Sequence, residues 1–517
     1  MKNRHFRISV YFILFFLSIG VIHAQNEDDS KKNKTKIQLV QADLMNFDKD
    51  KLGPDVHRLV GNVIFEHDSM YLHCDSAYLH ETDNSMEAWG NIHIQASDTV
   101  NIYGDELIYH GDEQIAEMRE NVKLIDKQMT LTTDYLDYDL AKDIGKYTGG
   151  GKIIDTTNQL TSRIGYYYAT EKNFFFKDSV RLKNPDYTMD SDTLMYNTRT
   201  EVSYFFGPSY IRSDSNLIYC ENGWYDTRKN LSQFNHNALL SHGDNSLQGD
   251  SLYYDRNKGL GKAYQNVTVI DSSQNIIIKG HYGKFLEKTS NSLITDSAQA
   301  IQIDQGDSLF MHADTLKYIG DTSRAAGKQL YAYYKVKIYR HNLQGKCDSL
   351  VYNAEDSLIK LFHSPVIWSG QNQLYADSIS LFTGKSKNRK MALYYNSYMA
   401  EMDDDSSNFN QIKGKIMYGY FKNKELYKVM VRGNAETIYF VRNDKDELVG
   451  VNKAESSDLV IHVKNKRISR LTFLNKPTEK LHPEKKLSRS DMVIKNFKWY
   501  KHARPESRYD IFRWQTE

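Results

Sequence analysis

The chain has 517 residues, of which 40% are apolar and 26% charged, and its formal net charge is +1. Nucleic-acid binding needs a concentrated basic field, so this charge balance excludes nucleic acid as a partner. Tyrosine is frequent, with 37 residues, whereas proline is rare, with 7. Because Tyr, Val, Ile and Thr suit pleated strands, and Asn, Asp and Gly suit tight turns, the composition predicts an all-β protein.

The first residues are typical of an export signal. A basic start precedes an apolar run over residues 10–19, and the small residue Ala24 follows it. This pattern predicts a cleaved secretory signal peptide over residues 1–24, because the apolar run is short for a membrane span. An uncleaved anchor is the alternative. Residues 25–36 are almost wholly polar, which predicts a linker and a mature chain that begins near Gln25.

A six-residue pattern then recurs along the chain. Its copies include "CDSAYL" at 74–79, "GDSLYY" at 249–254 and "CDSLVY" at 347–352. The spacing is close to 29 residues over most of the run, and a fixed period of this size indicates a repeat architecture. In chain order, the second position holds Asp43, Asp75, Asp105, Asp134, Arg163, Asp192, Glu221, Asp250, His281, Asp314, Asp348 and Asp377.

A second element keeps step about a dozen residues before each hexapeptide. Examples are "GNVIF" at 61–65, "GNIHI" at 90–94 and "QNVTV" at 265–269. Each begins with polar or turn-forming residues and then alternates apolar with variable positions, which predicts a strand with one buried face. The fourth and sixth positions of the hexapeptide alternate in the same way and are mostly Leu and Tyr.

One unit therefore holds about four short strands joined by corners. A unit of this size cannot bury its apolar face alone, whereas stacking unit on unit does so. If each unit adds one strand spacing of roughly 4.8 Å, some thirteen units form a rod on the order of 60 Å long. The sequence predicts an elongated all-β solenoid with regular repeats over 37–395, degenerate closing repeats over 396–476 and a charged C-terminal segment over 477–517.

The cysteines fit this arrangement. Cys74, Cys220 and Cys347 all hold the first place of the hexapeptide, so they are expected on one face of one wall. Cys74 and Cys220 would lie five units apart, or roughly 24 Å at the same spacing. A disulfide needs Cα atoms within about 7 Å. We therefore expect three unpaired thiols.

Two features invite a chemical interpretation. "GKYTGGGK" at 145–152 lacks the spacing and the Ser or Thr of a phosphate-binding loop, so a tight turn is expected there. The recurring Asp could form a ladder of calcium ligands, but the dense glycine nonapeptides of calcium-binding β-helices are absent, and capping of a corner turn through the residue's own backbone is the favoured interpretation. The sequence predicts no cofactor and no metal site.

The repeated "GNV" and "GDxLxY" units, as in "GNIHIQASDTVNIYGDELIYHGDEQIAEMRENVKLI" at 90–125, resemble the OstA-like family. That family includes the lipopolysaccharide-transport protein LptA and the periplasmic domain of LptD. The resemblance implies an open, twisted β-jelly roll, V-shaped in section, in the periplasm. It also implies lipopolysaccharide as the ligand, other lipopolysaccharide-transport proteins at the inner and outer membranes as partners, and end-to-end self-association.

The resemblance implies that lipid A acyl chains lie in an apolar groove, so inward apolar residues are the candidate site. For each of them, filling of a closed core is the alternative. The candidates are Phe65, Ile94, Leu107, Leu124, Leu136, Leu194 and Leu252.

Two other functions stay open at this point. A β-helix polysaccharide lyase would place its catalytic residues on neighbouring units of one outer face, and residues about 29 apart would then meet. A passive exported adhesin or spacer is the other alternative. No catalytic residues are predicted.

Overall fold

The computed structural model describes residues 35–514 except 128, 215, 274, 304–306, 321–327, 354, 383–388, 404–407, 423–424, 444, 446 and 466. The predicted signal peptide lies outside the described residues. The described chain forms a single antiparallel sheet of 34 strands, which confirms the all-β prediction. None of its helices combines the length and the apolar character that a membrane crossing requires.

The N-terminal half of the sheet begins with two short strands that flank a single helical turn, α1 (Lys49–Leu52). The strands of this half are β1 (Gln38–Gln41), β2 (Leu44–Phe47), β3 (Val56–His67), β4 (Met70–His80), β5 (Ser85–Gln95), β6 (Val100–His110), β7 (Ile115–Asp126), β8 (Met129–Asp139), β9 (Ile144–Tyr147), β10 (Gly151–Ile154), β11 (Gln159–Ser162), β12 (Ile164–Tyr168), β13 (Asn173–Lys183), β14 (Thr188–Asn197), β15 (Val202–Arg212), β16 (Asn216–Asp226) and β17 (Leu231–His242).

The second half continues in the same manner. Its strands are β18 (Asn245–Asp255), β19 (Leu260–Asp271), β20 (Ile276–Leu286), β21 (Asn291–Gln302), β22 (Leu309–Ile319), β23 (Gln329–Arg340), β24 (Leu343–Asn353), β25 (Leu358–Phe362), β26 (Val366–Ser369), β27 (Asn372–Tyr375), β28 (Ser378–Phe382), β29 (Arg389–Met402), β30 (Phe409–Lys422), β31 (Glu425–Arg442), β32 (Leu448–Lys464), β33 (Arg467–Leu474) and β34 (Thr478–His482). Short 3₁₀ helices lie at Glu287–Thr289, Glu484–Lys486, Arg489–Met492, Lys501–Ala503 and Asp510–Phe512.

Each long strand pairs with the next through a hairpin, so the sheet is a continuous meander. One 29-residue repeat supplies two antiparallel strands, which corrects the prediction that a repeat adds one strand spacing. Each repeat therefore advances by about 10 Å instead of about 5 Å. Cys74 and Cys220 are correspondingly separated by about twice the expected distance. The structure confirms that all three cysteines are unpaired, and it shows that all three are buried.

A bulge bends the chain near the middle of every second strand. In β3 it falls between Val60 and Val63, where Gly61 and Asn62 have φ of 83° and 42°. In β5 the same positions are Gly90 and Asn91, with φ of 80° and 45°. Glycine and asparagine tolerate this left-handed conformation best, which explains why the strand motif begins with "GN". We call the line of bulges the hinge.

The recurring Asp lies beside the hinge on the neighbouring strand. The side-chain amide of Asn62 donates to Asp43 at 2.8 Å, and that of Asn91 donates to Asp75 at 2.8 Å. Similar bonds join Asn121 to Asp105, Asn237 to Glu221, Asn266 to Asp250 and Asn396 to Asp377. The Asp therefore secures the neighbouring strand's bulge, which corrects the prediction that it caps a turn through its own backbone. The hinge also passes through the "GKYTGGGK" segment, where it separates β9 from β10.

The hinge divides the sheet into two walls whose inner faces pack together. Wall A contains the inward row that starts Leu39, Phe65, Leu72, Ile94 and continues through directly opposed partners along the sheet. Wall B contains the inward row that starts Leu59, Ala77, Ala88, Leu107 and continues likewise. Both rows contribute to the same hydrophobic core. The hairpins at the ends of the strands farthest from the hinge form the opening between the two walls. We call this opening the mouth.

A substitution at Gly90 tests whether the bulge geometry stabilises the fold. A Cβ atom at Gly90 would lie 2.5 Å from Oδ2 of Asp75, and φ is +80°. We expect Gly90→Ala to lower the free energy of unfolding by about 2–3 kcal/mol, from strain in the left-handed region together with the clash. The measurement is urea denaturation.

The matched control is Gly243→Ala. Gly243 also has a positive φ, of +53°, but nothing lies within 4 Å of its Cβ position. Its cost should be limited to about 1 kcal/mol from the backbone alone. Equal losses in the two variants would contradict the Asp75 contact as the constraint.

Candidate functional site

The structure places all seven predicted groove residues on the two inward rows. Phe65, Ile94 and Leu124 lie on wall A, and Leu107, Leu136, Leu194 and Leu252 lie on wall B. All seven are buried, and Leu252 is the most accessible of them at 6% exposed. They form part of one continuous core. Whether they contact lipid stays a prediction.

Between β3 and β12 the mouth is closed by hydrogen bonds from wall to wall. Nδ1 of His67 on wall A lies 2.6 Å from the hydroxyl of Tyr109 on wall B. Two repeats farther on, the Tyr167 hydroxyl donates to Asp126 at 2.6 Å. Burial, followed by the bond to Asp126, raises the pKa of Tyr167 well above its usual range, so its hydroxyl stays protonated. These bonds hold buried polar groups together, which makes separation of the walls costly.

The first described residues add a further closure. Ile37 is buried in the core, and its backbone N–H donates to Oδ1 of Asn84 on wall B. The neighbouring Thr35 donates its hydroxyl to Asp68 on wall A. Residues 35–37 therefore cross the mouth and seal the N-terminal end.

The inner face becomes accessible between β15 and β21, which we call the open section. Leu240 on wall A stands in the inward row between Ile218 and Leu247, and it is 37% exposed. Phe285 on wall B stands in the inward row between Gly261 and Ser292, and it is 41% exposed. Ile211, Ile218, Leu247, Val269 and Ile278 on wall A are only partly buried. The open section is thus a trough with apolar walls.

Polar side chains line the mouth of this trough. On wall A, His242 and Asn216 are joined by a 2.8 Å hydrogen bond between Nδ1 and Oδ1. On wall B, the Tyr254 hydroxyl donates to Glu287 at 2.5 Å. Burial, together with this bond, raises the pKa of Tyr254 to about 12, so it remains a neutral donor. An apolar interior below a polar rim suits a ligand with apolar chains and a polar head.

From β22 onward the walls close again. Ile367 and Leu374 on wall A and Leu361 and Ile379 on wall B are 0–2% exposed. Near the C-terminal end, the backbone N–H of Ile468 donates to Glu401 across the mouth. The trough is therefore bounded on both sides by closed core.

No group of three or more His, Cys, Asp or Glu side chains among the described residues is placed to hold a metal ion. Burial raises the pKa of Cys74 and of Cys220 to about 12, which disfavours the thiolate form that a nucleophile or a metal ligand needs. Apolar binding in the open section is what the geometry supports best.

A family model described as OstA-like protein matches residues 34–192 and 193–299, which together make up just over half of the chain. The chain belongs to the OstA-like family. This confirms the resemblance inferred from the repeated motifs. No curated protein matches the sequence.

Among solved structures, this OstA-like protein matches LptH of Pseudomonas aeruginosa, described as the LptA homologous periplasmic component of the conserved lipopolysaccharide transport device. The sequences are 12% identical, and the match covers 23% of this chain and 82% of that chain with a TM-score of 0.20.

Sequence reasoning missed the residues that open the trough of this OstA-like protein. Leu240, Phe285 and their neighbours follow the same alternation as the closed repeats. Small inward residues do not mark them either, since Ala77 and Ala88 occupy matching places in the closed section. The closed section differs from the open section in its wall-to-wall hydrogen bonds. These bonds join residues that are 41 and 42 positions apart in the chain.

A substitution at Tyr109 tests whether the wall-to-wall hydrogen bond stabilises the closed section. Tyr109→Phe leaves Nδ1 of buried His67 without its 2.6 Å partner, so we expect the free energy of unfolding to fall by about 1–3 kcal/mol. The matched control is Tyr254→Phe in the open section, whose partner Glu287 is exposed. The control should lose less than about 1 kcal/mol in urea denaturation. A larger loss for Tyr254→Phe would contradict the assignment of closed and open sections.

Proposed function

We propose that this OstA-like protein is a periplasmic scaffold that binds lipopolysaccharide and carries its lipid A acyl chains toward the outer membrane. The observation that carries the proposal is the open section, where Leu240 and Phe285 are inward yet 37% and 41% exposed on facing walls. Family membership supports the same function. The N-terminal residues, with their predicted signal peptide, support export to the periplasm, and association with the outer membrane would follow from the role.

The energetics of the trough support an acyl chain as its occupant. Each methylene that leaves water for an apolar surface contributes roughly 0.8 kcal/mol. The sugar and phosphate head would remain at the mouth, beside the polar groups of His242, Asn216 and Tyr254. Binding needs no catalytic group and no cofactor.

The proposed occupant would enter at the open section. Leu252 lies within it, and Leu194 lies on the adjoining strand β14. Phe65, Ile94, Leu107, Leu124 and Leu136 could contact acyl chains only after the wall-to-wall bonds of the closed section break. Passage of lipid along the whole sheet would therefore require the walls to separate in turn.

Leu240 provides the test of the trough. Leu240→Asp places a carboxylate on the apolar inner face, where burial is costly, so we expect affinity for lipopolysaccharide to fall at least about tenfold. The matched control is Leu239→Asp, since Leu239 is adjacent and opposite Tyr219 and Gln248 on the outer face. Affinity is measured with purified lipopolysaccharide, and co-purified lipid is identified by mass spectrometry.

Several outcomes would contradict the proposal. Equal affinities of the two variants would show that the inner face of the open section does not bind the acyl chains. Cleavage of an acidic polysaccharide by a protein without bound glycolipid would favour the enzyme alternative. Unchanged outer-membrane lipopolysaccharide after depletion of the protein would favour a passive spacer.

We also propose that the sheet ends contact other lipopolysaccharide-transport proteins or a second copy of the chain. In the described residues, β1 and β2 pair only with β3, so they leave an unpaired edge. This edge carries Leu44 and Phe47, which are 59% and 50% exposed. An unpaired apolar edge is a template for pairing with another sheet.

Charge at this edge should prevent self-association. We expect Leu44→Arg combined with Phe47→Arg to shift the protein toward monomer in sedimentation velocity, because desolvating two guanidinium groups in a strand interface is unfavourable. Val493→Arg is the control, since Val493 is 45% exposed on the C-terminal segment instead of an edge strand. A monomeric native protein, or an unchanged distribution in the edge variant, would remove the support for self-association.

A further inference from the structure

A line of outward side chains runs along the middle of wall B, from strand to strand and parallel to the trough. Its members are directly opposed partners in the sheet. In the N-terminal closed section the line is mainly acidic, with Glu87, Glu117 and Asp137. On β19, β20 and β22 it carries Lys262, Lys284 and Lys317, which we call the lysine row. The line therefore becomes basic beside the open section and at its C-terminal border.

The lysine row has no anionic partner in the fold. None of its three residues forms an ion pair with another described residue, and Lys284 and Lys317 are exposed. Lys262 and Lys284 are directly opposed on neighbouring strands, where like charges lower the stability of a sheet. An anionic ligand would offset this repulsion.

Carboxylates lie only at the edges of this face. Among the outward positions of wall B from β17 to β22, all of which are described, Asp255 is the one acidic residue, and it pairs with Lys258 at 2.9 Å. The hinge carboxylates Asp250, Asp296 and Asp314 lie at the edge of the wall opposite to the mouth. The middle of the face is therefore positively charged, and its field attracts anions.

Tyrosines flank the lysine row on the side of the hinge. Tyr264 and Tyr282 are directly opposed, with ring centroids 5.5 Å apart, and Tyr264 is 39% exposed. In the line itself, Tyr253 lies beside Lys262, whose Nζ is 5.9 Å from the ring centroid. A tyrosine offers an apolar ring face and a polar hydroxyl together. This surface suits a saccharide, whose rings carry apolar C–H groups on their faces and hydroxyls at their edges.

Basic residues also connect the mouth to the lysine row. Arg256 lies in the hairpin between β18 and β19, and Lys288 lies in the 3₁₀ turn between β20 and β21. Both are exposed. Lys284 is two residues from Leu286, the last residue of β20, so it is about 7 Å from the mouth along the strand. Its neighbour Phe285 faces the trough. One strand thus offers apolar surface to the trough and positive charge to the outside.

We propose that the lysine row binds the phosphorylated saccharide head of the glycolipid whose acyl chains occupy the trough. This inference rests on the proposed function, since the trough supplies the site for the acyl chains. The head would leave the trough at the mouth, turn over the rim past Arg256 and Lys288, and lie along the outer face of wall B. Charge complementarity favours an anionic saccharide, because phosphate oxygens accept charge-assisted hydrogen bonds from lysine. The glycolipid would then be held on both faces of one wall.

The experiment separates the saccharide from the acyl chains. Its probe is the deacylated, phosphorylated saccharide prepared from purified lipopolysaccharide, which has no chains to enter the trough. The test variant is Lys284→Gln with Lys317→Gln. The matched control is Lys146→Gln with Lys360→Gln, because these exposed lysines stand on the same line of wall B but outside the open section. Both variants lose two positive charges.

Affinity is measured by titration calorimetry. We expect the test variant to bind the saccharide at least about fivefold more weakly than the native chain, with the control unchanged, because two exposed charge contacts are lost. Raising the salt concentration to about 0.5 M should weaken native binding, since salt screens exposed charges. The dephosphorylated saccharide should bind the native chain no better than the phosphorylated one binds the test variant. In urea the test variant should be at least as stable as the native chain, because it relieves the repulsion with Lys262.

Three results would overturn the proposal. They are native affinity in the test variant, an equal loss of affinity in the control, and undiminished native binding of the dephosphorylated saccharide. A test variant that is less stable in urea would also overturn it, since the lysines would then serve the fold.

The proposed function fails separately, because Leu240→Asp is tested with whole lipopolysaccharide. Loss of affinity in Leu240→Asp, with native saccharide binding in the lysine variant, would leave the trough as the binding site and overturn the lysine row. The reverse result would contradict the trough and support the lysine row as a site for the anionic saccharide.

Discussion

The bulge at the middle of every second strand is the constraint on which the rest of the structure depends. Two successive residues in the left-handed region, such as Gly90 and Asn91, bend the strand. The carboxylate of Asp75 accepts the amide of Asn91 and lies where a Cβ at Gly90 would be. Because the bend recurs at the same place in each repeat, the bends line up into one hinge. Without it, a meander of this length would be an open sheet with no enclosed core.

The hinge makes two walls, but it does not fix how far apart they stand. That distance depends on what lies between them and across the mouth. Near the N-terminal end, hydrogen bonds of His67 with Tyr109 and of Tyr167 with Asp126 join the walls above a buried apolar core. In the open section the rim groups bond within their own wall, as Asn216 does with His242. The same backbone plan can therefore give a filled core in one section and an accessible trough in the next.

This combination suits a carrier of amphiphiles. The trough offers apolar surface without enclosing it, and its polar rim can remain hydrated beside a sugar or phosphate head group. The closed sections on both sides give the trough a defined length. On the C-terminal side, the outer face of wall A is covered by residues that come last in the chain, through contacts between residues far apart in sequence, such as that of Gln373 with Lys498.

The sequence by itself determined the repeat, the all-β class, the alternation that points Leu194 and Leu252 inward, and the unpaired state of the three cysteines. These follow from local periodicity, because neighbouring residues on a strand alternate between its faces. The tertiary structure alone decided that a repeat supplies two antiparallel strands, that Asp75 binds the neighbouring strand's bulge, and that Leu240 and Phe285 are the accessible residues. Each of these depends on which strand lies beside or across from which, and local patterns of side-chain size and polarity carry no record of such distant pairings.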